Sequence, residues 1–151
     1  MRKNPKYSKG AFAVLLLACA TTAFAGKVDA IFTHAGQAIR GYDPVAYYLQ
    51  AQPVKGTPQF SYQWMGTTWL FATAENRDRF QAEPEHYAPQ YGEHCAYVVS
   101  KGRTASIDPE AWRVVDGKLY LNYSKGVQKK WEQDVLGNII KADKSWPDLD
   151  K

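Results

Sequence analysis

The chain has 151 residues, two cysteines and 19 Lys and Arg against 15 Asp and Glu. Four of the cations, Arg2, Lys3, Lys6 and Lys9, stand ahead of residue 10, so from residue 26 onward 15 bases meet 15 acids. The pI near 9.0 therefore belongs to the first residues, and the balance of the rest excludes the strongly basic face that nucleic-acid binding requires.

Residues 1–25 read as a secretory signal peptide. The four cations precede a short apolar core at 11–20, and Ala23-Phe24-Ala25 supplies the small-x-small pattern of a cleavage site. The apolar core is too short for a permanent anchor, which needs about 20 residues. Cleavage leaves an exported domain, periplasmic or extracellular, with no transmembrane segment. Leu16-Leu17-Ala18 before Cys19 opens a second route, in which a lipid on Cys19 anchors the domain to a membrane.

The rest, 26–151, is of single-domain size and holds all five tryptophans. Residues 26–40 have no period and are expected as an extended lead-in. Asp43-Pro44 caps and starts a short helix over 45–49, and the prolines of 52–58 mark a loop. Phe60, Tyr62 and Trp64 alternate with polar residues, Met65-Gly66 turns the chain, and 67–71 returns as a second strand. Thr73 caps a helix reaching residue 82, and 84–87 is a further helical turn, with Phe80 and Tyr87 as core anchors.

After Pro89 the pattern predicts a helix over 91–100. A second hairpin follows, 112–115 and 118–122 about the strong turn signal Asp116-Gly117. Helices over 124–133 and 138–145 end before Trp146-Pro147. No internal repeat is visible in the letters. The fold class expected is α+β, one compact domain with two antiparallel β-hairpins packed against several short helices.

Residues 60–87 resemble the YHS domain, through Tyr62, Gly66, Trp69, Phe71, Phe80, Pro84 and Tyr87 in a frame of hairpin, helix and Pro-Glu-x-Tyr. The segments 41–47, 91–96 and 116–123 are similar to a longer exported branch of that family. The resemblance implies a metal-handling lineage without implying an activity. It also implies three thiolate positions: before a Pro-Val, just after the Phe of the second strand, and four residues later on the helix. Here they hold Asp43, Ala72 and Asn76. Alanine coordinates nothing, and Asp43 reads better as a helix cap than as a ligand.

Cys95 is then the one thiol of the exported part, unpaired in an oxidising compartment. Its neighbour His94 makes Cys95 and His94 the candidate metal ligands, for copper or zinc, with His34 and His86 as available helpers. On a helix, neighbours point about 100° apart, so the pair needs a helix end or further donors. No Cys-x-x-Cys pair, phosphate-cradling loop or nucleophile elbow is present, and no catalytic residue is assigned. Two readings stand side by side. One is a module handling a metal ion or a thiol-reactive species through Cys95. The other is a metal-free interaction or structural module of the cell envelope, with an envelope protein as partner and Cys95 packed in the core.

Overall fold

A computed structural model describes residues 31–150. The leader, Cys19 and the cleavage motif lie outside the described residues. No helix among the described residues is long and apolar enough to cross a membrane.

A 3-10 turn at Ala38–Gly41 leads into helix α1 (Ala46–Leu49), hairpin β1–β2 (Thr57–Trp64, Thr67–Phe71), and helices α2 (Ala74–Ala82) and α3 (Pro84–Tyr87). A second 3-10 turn at Gln90–Glu93 leads into α4 (Ala96–Val99), hairpin β3–β4 (Asp108–Val115, Lys118–Asn122), α5 (Lys125–Trp131) and α6 (Val135–Leu149). The fold is α+β, two antiparallel two-stranded sheets with short helices.

The second half repeats the first, which corrects the reading of a chain without repeats. The pairs Thr57↔Phe71, Ser61↔Leu70, Tyr62↔Trp69, Gln63↔Thr68 and Trp64↔Thr67 recur as Asp108↔Asn122, Trp112↔Leu121, Arg113↔Tyr120, Val114↔Leu119 and Val115↔Lys118, every number raised by 51. The ladder breaks at the same place in both hairpins, where Pro58 and Pro109 have no N–H to give it. Both turns put two successive residues at positive φ, Met65 at 49° with Gly66 at 72°, and Asp116 at 48° with Gly117 at 71°. That is the mirror-image turn whose twist suits a two-residue hairpin.

The same spacing continues into the helices. Thr73 caps α2 by accepting from Asn76 N, and Ser124 caps α5 by accepting from Val127 N. Phe80 and Trp131 occupy matching positions and are both fully buried. Phe80 packs on Trp69 with ring centroids 4.7 Å apart, and Trp131 packs on the matching Tyr120 at 5.4 Å. α3 begins at Pro84 and α6 at Val135, again 51 apart.

One apolar cluster joins the halves. Tyr47, Trp69, Phe71 and Phe80 from the first pack with Cys95, Ile107, Leu119 and Leu121 from the second. Tyr47 donates its hydroxyl to Pro109 O at 2.9 Å and sets its ring edge-on to Trp112. A smaller cluster of Tyr91, Ala96, Val99, Tyr120, Trp131 and Ala142 holds α4 and α6 onto the second hairpin.

Two sequence expectations are corrected here. Residues 91–100 are not one helix: Tyr91 (φ 58°), Gly92 (54°) and Glu93 (67°) are left-handed, His94 is extended, and only Ala96–Val99 is helical. Tertiary bonds override the helical pattern, because Glu93 Oε2 accepts from Ile39 N at 2.7 Å and Cys95 N donates to Ala105 O at 3.0 Å. α6 runs past the expected stop and contains Pro147. Trp146 holds this last turn down, its ring 5.9 Å from that of Tyr91 and 5.7 Å from that of His94.

Candidate functional site

Cys95 is fully buried. Its sulfur accepts from Tyr123 N at 3.2 Å and lies 3.7 Å from Asn122 Oδ1, which also takes Tyr97 N. Burial pushes the thiol pKa up, and the nearby backbone N–H groups of Val98, Tyr123 and Tyr97 offset this only in part. The thiolate is the nucleophilic and metal-ligating form, and burial disfavours it here.

His94 faces elsewhere. Its ring packs at a tilt against Phe32 and Trp146, with centroids 5.3 and 5.7 Å away, and burial lowers its pKa. The two side chains have different neighbours, Asn122 and Tyr123 around the sulfur and two aromatic rings around the imidazole. The helpers do not join it either. His34 is exposed in a small bridge with Gln37, and His86 is exposed on α3 against the rings of Tyr48 and Tyr87. Among the described residues no group of three His, Cys, Asp or Glu is placed to hold a metal ion.

Asp43 is also fully buried, and its carboxylate is saturated. Oδ1 accepts from Val45 N at 2.8 Å and Ala46 N at 3.4 Å, which starts α1 as the sequence led one to expect. Oδ2 reaches further, accepting from Ala72 N at 2.9 Å and Asn76 Nδ2 at 2.7 Å. One side chain thus ties α1, the end of β2 and the first turn of α2 together.

A third feature was not legible in the sequence. Where the two halves meet, the β1–β2 turn, the 88–93 crossover and the end of α6 enclose an open cleft of about 520 Å³. Trp64, Tyr91 and Trp146 are among the aromatic residues that line it, and Glu85, Glu93 and Asp143 are its acidic ones. Tyr91 donates its hydroxyl to Asp143 Oδ1 at 2.8 Å, which fixes both groups. Glu93 is 2 % exposed, and burial raises its pKa well above the ordinary carboxyl value. Its Oε2 takes Ile39 N, but its Oε1 has no partner among the described residues.

A family profile described as the YHS domain matches residues 45–91. The chain contains a YHS domain. No curated protein and no solved structure matches the chain.

The matched YHS segment covers α1 through the start of the second 3-10 turn, which is most of the first structural half. The three positions to which the resemblance assigns thiolates, Asp43 just before that segment and Ala72 and Asn76 within it, are joined by Asp43 Oδ2, which accepts from Ala72 N and from Asn76 Nδ2. A carboxylate bonded to an amide and a main-chain N–H has taken the place where the resemblance puts a metal. The two 3-10 turns, Ala38–Gly41 and Gln90–Glu93, are 52 apart rather than 51, so in the second half Cys95 stands where Asp43 stands in the first. Asp43 N donates to Val54 O and Cys95 N to Ala105 O, while Ala72 N donates to Asp43 and Tyr123 N to Cys95. The positions matching Ala72 and Asn76 are Tyr123 and Val127, so the second half has one sulfur and no thiolate set.

Proposed function

We propose that this chain is an exported binding module of the cell envelope that works without a metal ion, its ligand entering the aromatic cleft between the two halves. The leader carries the export part of this reading. The observation that carries the metal-free part is Asp43. Its two oxygens already accept four protein donors, so the site at the heart of the YHS unit is closed by hydrogen bonds. The buried Cys95, engaged by Tyr123 N, supports the same conclusion for the second half. The cleft supports binding because it is concave, large enough for a small ligand and lined by aromatic rings with a few polar groups.

Calorimetric titration with zinc and copper tests the reading. The protein and its Cys95→Ala variant, both carrying Cys19→Ser, are expected to show no saturable uptake. Stoichiometric uptake that disappears in Cys95→Ala overturns the metal-free reading.

A further inference from the structure

We infer that the cleft takes a small organic cation, an alkylammonium group held between aromatic faces and anchored by Glu93. The inference rests on reading the cleft as the binding surface and adds the chemistry of the ligand.

Charge is the first argument. Glu85, Glu93 and Asp143 line the cleft, and no lysine or arginine does. From residue 26 onward the chain carries as many bases as acids, so a concavity with one sign only departs from the chain's average. In the free protein Glu85 and Asp143 supply that field, which attracts cations and repels anions, and Glu93 adds to it only once a cation lets it ionise.

The aromatic walls are the second argument. Trp64, Tyr91 and Trp146 surround the space, and indole is the best of the protein faces for a cation. Elsewhere the protein makes such contacts with its own cations, Lys55 over Tyr42 and Lys101 over Tyr97, each 4.7 Å from the ring centroid. No lysine or arginine is placed over these three cleft rings among the described residues.

Glu93 is the third. A buried carboxyl with one oxygen bonded and the other without a partner carries a desolvation cost that nothing in the described protein offsets. A cation in the cleft offsets it by allowing that carboxyl to ionise. The backbone pays to hold the group there, because Tyr91 and Glu93 are both left-handed without being glycine. The facing turn is left-handed too, with Ile39 at φ 46°, and its N–H fixes the second carboxyl oxygen. Two strained turns thus meet at one buried carboxyl, of a residue that lines the cleft.

Titration of the purified protein with choline, followed by calorimetry and tryptophan fluorescence, tests the inference. Its control is the neutral carbon isostere, in which a tert-butyl group replaces the trimethylammonium. Choline is expected to bind saturably, at least tenfold more tightly than the isostere. Trp146→Ala, Asp143→Asn and Glu93→Gln are each expected to weaken it several-fold while leaving the far-ultraviolet spectrum unchanged. Equal binding of the two compounds, preference for the isostere, or no saturable binding overturns the inference. Zinc or copper uptake through Cys95 instead overturns the metal-free reading beneath it, so the two failures are told apart.

Discussion

Asp43→Ala is expected to destabilise the protein by about 3–5 kcal/mol, the cost of removing a buried charged partner from groups that keep needing it. The substitution leaves Val45 N, Ala46 N, Ala72 N and Asn76 Nδ2 without their acceptor, in a place where water does not reach Asp43 itself. Each orphaned donor costs about 1–3 kcal/mol, and local relaxation returns part of the sum. Asp43→Asn keeps one acceptor oxygen but points an amide NH₂ at the remaining donors, so its loss falls between wild type and alanine. Urea unfolding followed by circular dichroism gives both values. A loss below about 1 kcal/mol for alanine contradicts the role given to this carboxylate.

Trp131→Ala is the second large effect, again about 3–5 kcal/mol. Trp131 is fully buried, packs on Tyr120 and closes the smaller cluster on which α4 and α6 rest. Trp131→Phe has a different expected result. The indole Nε1 is buried without a hydrogen-bond partner among the described residues, so phenylalanine loses volume but also removes an unsatisfied donor. A loss under about 1.5 kcal/mol is expected for phenylalanine. Both variants are expected to unfold in one transition by fluorescence and circular dichroism, because the larger cluster contains residues of both halves. Two separated transitions contradict that shared core.

The residues that announce themselves locally are those whose job is local. Asp116-Gly117 fixes its turn by backbone preference, Thr73 caps a helix three residues ahead, and Asp43-Pro44 starts one. All three were legible, and with them the α+β class and both hairpins. The repeat was hidden because hairpins tolerate wide substitution. Across β1–β2 and β3–β4, only Pro58/Pro109, Gly66/Gly117 and Leu70/Leu121 keep the same residue. What is preserved elsewhere is chemical type, as in Thr73 with Ser124, Trp69 with Tyr120 and Phe80 with Trp131. Such matches become visible only once the register is known.

The site was harder still. Adjacency suggested that His94 and Cys95 share an ion, but the left-handed turn before them removes the helix that was expected, and the two side chains have different neighbours. The cleft is assembled from Trp64, Glu93 and Trp146, residues far apart in sequence that no local motif connects. Asp43 was read correctly as a cap. Its second oxygen, spanning to Ala72 and Asn76, needed the fold.

The reactivity of one sulfur tests the account most directly. With Cys19→Ser, Cys95 is the chain's one thiol, and an aromatic disulfide reagent reports its release optically. The account predicts that native protein reacts only as fast as it unfolds, and that a full equivalent appears at once in denaturant. A full equivalent released from the native state within the mixing time, with the circular dichroism unchanged, contradicts it.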